Sequence, residues 1–135
     1  MWTPSRRAAS LWLVAYLGFV LLITLIPSGR PPMEPNLVPL AGIISTFRDG
    51  GVAFGIVQLV GNLLLLAPFG ALLAAARPGL SAAGLVAAAL VLAGGIELVQ
   101  ALMRTGRMAD IDDVWLNTLG AWIGVLIVGR AWRGD

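Results

Sequence analysis

The residues able to do chemistry are concentrated in one stretch. Between position 97 and position 117 stand Glu97, Gln100, Arg104, Arg107, Asp110, Asp112, Asp113 and Asn117, which include four of the chain's seven acidic residues. Carboxylates beside guanidinium groups and amides suit three tasks. They can hold a proton as a general acid or base, bind a divalent cation through oxygen alone, or orient arginine toward phosphate. With no Cys and no His, disulfides, zinc–thiolate sites and His-dependent catalysis are excluded.

The sequence around this stretch is apolar. The chain is 59% hydrophobic and 12% charged, about half the charge content of an ordinary soluble domain. So little charge implies a membrane protein. All nine basic residues are Arg, they form no basic stripe, and the net charge is +2, which argues against nucleic-acid binding.

Four hydrophobic segments read as transmembrane helices. The first runs over about 8–26, just enough to cross a core of about 30 Å. Arg6-Arg7 before it resembles an export signal, but the run is long for one and no Ala-x-Ala-like site follows, so an uncleaved helix is expected. The second runs over about 52–73 and places Gly51, Gly55, Gln58, Asn62, Leu65 and Phe69 on one face. Pro68 predicts a kink in it. The third, about 80–103, carries a small-residue stripe of Gly84, Ala88, Val91 and Gly95, with Glu97, Gln100 and Arg104 sharing a face near its end. The fourth, about 112–129, aligns Asp113, Asn117, Gly120 and Gly124 in one seam. The linker between the first two holds Pro31, Pro32, Pro35 and Pro39; its residues 40–47 suit a short interfacial helix ended by Arg48-Asp49-Gly50-Gly51. The fold expected is an all-α antiparallel bundle of four transmembrane helices, forming one domain over residues 1–135.

Four spans put both termini on one side with Arg6, Arg7, Arg77, Arg130 and Arg133, leaving Arg30, Arg48, Arg104 and Arg107 on the other. The Arg bias sets the termini in the cytoplasm. Gln58, Asn62, Glu97, Gln100, Asp113 and Asn117 then meet in the outer half of the membrane. A carboxylate at the bilayer centre costs about 2.5–3.5 kcal/mol or more, so Glu97 should meet Arg104, an amide, water, a cation or a ligand. The simpler reading of the Asp cluster is helix capping with ion pairs to Arg104 and Arg107. An oxygen-only metal site at Asp110, Asp112 and Asp113 is the alternative.

The chain resembles the VanZ-like family of small integral membrane proteins. The matching pieces are Thr24-Leu25-Ile26-Pro27, Asn36-Leu37-Val38-Pro39, Asn62 through Pro68-Phe69-Gly70, Glu97-x-x-Gln100, and Arg107, Asp110, Asp112, Asp113, Asn117-Thr118-Leu119-Gly120 and Gly124. Leu40 stands where Phe is expected, and Ala67 replaces a bulkier residue. The resemblance implies a bacterial inner-membrane protein, and for the family's namesake a reduced susceptibility to teicoplanin-type glycopeptides. The function expected is binding or modification of a lipid-linked cell-envelope headgroup. In that reading Arg104 and Arg107 hold phosphate; Gln58, Asn62, Gln100 and Asn117 hold sugar or peptide groups; Glu97 is the general base if chemistry occurs. A transporter or flippase with Glu97 as proton carrier, and a structural membrane partner, are the alternatives. Membrane lipids and a lipid-linked cell-wall precursor are the partners expected, with no obligatory cofactor.

Overall fold

The computed structural model describes residues 5–104 and 106–133, without the side chains of residues 130–133, Arg130 and Arg133 among them. It contains four helices: α1 Arg6–Leu25, α2 Ala41–Ala76, α3 Ala82–Met103 and α4 Ile111–Arg133. Each is long and apolar enough to cross a membrane.

Helix α2 is two helices joined end to end. Gly51 has φ 79° and ψ 171°, a conformation essentially reserved for glycine. The break separates a short helix over 41–50 from a long one over 52–76. The Phe47 ring packs so closely on Gly55 that a Cβ there would lie 2.6 Å from Phe47 Cδ1. The short helix expected over 40–47 therefore exists and leans on the start of the span. Pro68 lies inside the long part of α2, where the backbone dihedrals remain helical. Tyr16 of α1 donates to the Leu65 carbonyl at 2.8 Å, in the turn where a proline disturbs helix bonding.

Helices α2 and α4 form the most extensive interface. A Cβ at Gly120 would meet the Leu63 carbonyl oxygen at 1.9 Å, one at Gly124 the Ala67 oxygen at 1.9 Å, and one at Gly70 the Ala121 oxygen at 1.9 Å. Backbone thus lies on backbone, the close approach that drives helix association in lipid. The seam read on α4 faces α2. The stripe read on α3 does not face the bundle: Val91 is 75% exposed and a Cβ at Gly95 would meet nothing within 4 Å. The buried face of α3 is Leu85, Ala89, Ala93, Ile96 and Gln100. Alanines, not glycines, face inward there. The core joins Val20, Leu66, Phe69, Ala89, Ala93, Ile96, Val114 and Ala121 across all four helices.

Candidate functional site

The acidic residues form a fastening at the end of the bundle opposite the termini. Asp110 is the N-cap of α4. Its Oδ1 accepts the Asp112 N–H at 2.9 Å and the Asn36 side-chain amide at 2.9 Å. The loop carrying Asn36 is sewn to the same place, with its N–H on the Ala109 carbonyl at 2.8 Å and its carbonyl accepting from the Ile111 N–H at 3.0 Å. The Asn36 Oδ1 accepts the Val38 N–H at 3.1 Å, closing a local turn.

Asp112 caps a helix other than its own. Helix α2 starts at Leu40, with φ 67° and no capping side chain nearby in sequence. The Asp112 Oδ1 accepts the Leu40 N–H at 2.7 Å, and its Oδ2 accepts the Ile43 N–H at 3.2 Å. Left-handed backbone costs a leucine about 1–2 kcal/mol, and these charge-assisted bonds offset it. Asp113 accepts from the Asn62 side-chain amide, linking α4 to the long part of α2. Each Asp thus has a separate task, which accounts for three where one cap would suffice.

Glu97 lies behind this fastening. Its Oε2 accepts the Asp110 N–H at 2.8 Å, so α3 holds the residue that starts α4. The Gln100 amide donates to the Thr24 carbonyl at 2.8 Å, tying α3 to the end of α1. Two expectations are corrected. Arg104 ends α3 at φ 49°, exposed to solvent, and does not pair with Glu97. Arg107 is not held by carboxylates either. It donates to the carbonyls of Ile26 at 3.3 Å and Ile23 at 3.2 Å, closing the last turn of α1. Among the described residues the only ion pair is Arg48 with Asp49, both exposed. No group of three carboxylates among the described residues is placed to hold a metal ion. In place of the oxygen-only site considered for Asp110, Asp112 and Asp113, Asp110 Oδ1 and both Asp112 oxygens accept backbone N–H groups, and Asp113 Oδ1 accepts from the Asn62 amide.

Beside the fastening is a cavity of about 440 Å³. The short helix of α2 walls one side through Gly42, Ile43, Thr46 and Phe47, and the long helix another through Gln58, Leu59 and Asn62. Gln100, Arg107, Asp110, Asp112 and Asp113 add to the polar lining, together with Ser28 and Arg30 from the linker. Glu97, Arg104 and Asn117 do not line it. Asn117 is buried at 4% exposure, and its Oδ1 has no partner among the described residues. Gly42 admits the Asp110 carboxylate, since a Cβ there would lie 1.8 Å from Oδ2. Burial raises the Asp110 carboxyl above its ordinary value, and the neighbouring Asp112 charge adds to this. The bonds from the Asp112 N–H and from Asn36 oppose it.

A family model described as VanZ/LLP1 matches residues 13–132, nearly the whole chain. The chain belongs to the VanZ/LLP1 family. That family is named for glycopeptide resistance, and the VanZ-like pieces quoted from the sequence now have places. Asn36, Glu97, Asp110 and Asp112 are the fastening, Asn62 and Asp113 join α2 to α4, and Gly120 and Gly124 are the seam. No curated protein and no solved structure matches the chain. Two residues of this VanZ/LLP1 protein were missed as site candidates. Asn36 had a usable signal, an Asx residue three places before a proline. Arg30 had none, because only the fold brings the linker to the cavity.

Proposed function

We propose that the cavity receives the polar headgroup of a lipid-linked cell-envelope precursor at the outer face of a bacterial inner membrane, and that this underlies a role in glycopeptide response of the teicoplanin type. The observation that carries the reading is the mixed lining at the end of a membrane bundle. Arg30 and Arg107 supply guanidinium groups for phosphate. Gln58, Asn62 and Gln100 supply amides, and Asp113 an acceptor, for sugar hydroxyls or peptide amines. A wall of both signs suits a headgroup that carries both phosphate and neutral or cationic groups. Since Arg104 lies outside the cavity, the phosphate role passes to Arg30, with Arg107 retained. Glu97 acts as a positioning residue, through the backbone of Asp110.

Transport is disfavoured by the packing beneath. Val20, Leu66 and Phe69 fill the middle of the bundle with apolar side chains, and among the described residues no polar lining continues from the cavity to the other end.

The test uses the full chain in detergent with a polyprenyl-pyrophosphate-linked cell-wall precursor as probe. Binding is expected to raise the thermal midpoint. Arg30→Gln combined with Arg107→Gln is expected to weaken binding at least about tenfold, since charge-assisted hydrogen bonds are worth about 1.5–3 kcal/mol each. Equal binding by the double variant sinks the reading. In cells, the same variant is expected to lose any protection against teicoplanin that the native chain confers.

A further inference from the structure

The opposite end of the molecule holds a second concavity, of about 910 Å³, between the start of α1 and the turn joining α2 to α3. Arg6, Arg7 and Arg77 surround it. No carboxylate among the described residues neutralises them. Six of the seven acidic residues, Glu34 through Asp113, belong to the other end, and the seventh, Asp135, lies outside the described residues. Arg77 spends one N–H on the Ala76 carbonyl at 3.3 Å. Arg6 and Arg7 make no side-chain ion pair among the described residues.

The groove is not purely polar. Leu11 and Val14, at 73% and 69% exposure, form one flank, and Leu80, at 42%, the other. Behind them Ala9 packs on Ala75 and Ala76 and fixes α1 against the end of α2. Three cations therefore lie at the mouth of a groove whose flanks are apolar and continuous with the membrane-facing surface. A soluble anion has no use for those flanks. A lipid with an anionic head and acyl tails matches both parts.

We propose that this groove is a binding site for an anionic glycerophospholipid of the leaflet beside the termini. Arg6, Arg7 and Arg77 hold its phosphate, and its acyl chains lie along Leu11, Val14 and Leu80. The site is separate from the cavity at the other end and does not depend on its ligand. Basic pockets between membrane helices collect such lipids because each guanidinium near the surface adds a favourable term to headgroup binding.

The full chain purified in a nonionic detergent tests this by thermal unfolding and by native mass spectrometry. Phosphatidylglycerol is expected to raise the midpoint and to be retained, while phosphatidylcholine and inorganic phosphate do neither. Arg6→Gln, Arg7→Gln and Arg77→Gln together are expected to abolish the shift. Arg77→Gln alone is expected to weaken retention about fivefold, which keeps the test open if the triple variant fails to fold. Arg48→Gln, at the other end, removes one charge and is expected to leave the shift intact. The proposal is overturned if phosphatidylcholine or inorganic phosphate stabilises equally, if Arg77→Gln retains the lipid unchanged, or if Arg48→Gln weakens binding as much.

Discussion

The two ends of the bundle use charge in opposite ways. At the end with the cavity, carboxylates are spent on backbone. Asp110 caps α4, Asp112 caps α2, Glu97 holds the Asp110 N–H, and Arg107 closes α1. At the end with the termini, Arg6 and Arg7 make no ion pair among the described residues, and Arg77 reaches only a neighbouring carbonyl. Buried polar groups without partners are costly in lipid, so the first end uses its ionic groups to give irregular backbone its hydrogen bonds. Among the described residues, the second end has only a tight turn to support and pairs Arg6, Arg7 and Arg77 with no carboxylate. Charged side chains therefore build shape at one end and face the surroundings at the other.

The sharpest way to break this contrast is Asp112→Ala. It leaves the N–H groups of Leu40 and Ile43 without acceptors. A loss of about 2–3 kcal/mol is expected, read as a lowered unfolding midpoint in detergent. Arg7→Gln, measured without added lipid, is expected to stay within about 0.5 kcal/mol of the native chain. Equal effects at the two ends would erase the distinction.

A smaller effect is expected at Glu97. Glu97→Ala removes the acceptor for the Asp110 N–H at a cost of about 1–2 kcal/mol. Glu97→Gln keeps a carbonyl oxygen there and is expected to recover most of that stability. If Gln is as damaging as Ala, the charge of Glu97 rather than its acceptor matters, and a direct chemical role returns to consideration.

The smallest effect concerns pH. The Asp110 carboxyl is raised above its ordinary value, so the folded chain binds that proton more tightly than the unfolded chain does. The linked stability is fully present below the ordinary carboxylate value and is lost as pH rises through the folded-state value. Asp110→Asn is expected to flatten that part of a stability-against-pH curve. An unchanged slope would locate the titration elsewhere.

Much of the fold was legible because hydropathy and spacing are local. The four spans lie within a few residues of expectation at most ends, and the break after Asp49-Gly50 was signalled by two adjacent glycines. The faces of α2 and α4 were legible because their polar and small residues coincide. On α3 the two cues separated: the glycine stripe pointed outward and the alanines inward, and nothing in the sequence says which small residues a neighbour will choose. The roles of the Asp residues were only half visible. That Asp110 caps its own helix follows from position, whereas capping of α2 by Asp112 depends on tertiary approach. Pairing Arg107 with carboxylates failed for a related reason, since the nearest unfilled acceptors in space are the last carbonyls of α1.

The borrowed cap on α2 also sets an order of manufacture. Asp112 lies 72 residues after Leu40, so a ribosome delivers the acceptor long after the segment that needs it. Chains assemble from the N-terminus as they are made. Until α4 enters the membrane, the Leu40 and Ile43 N–H groups at the start of α2 lack the acceptor they have in the folded chain. The short helix is therefore among the last parts to lock, and a chain halted before Asp110 would insert its earlier spans yet leave the cavity wall unfinished.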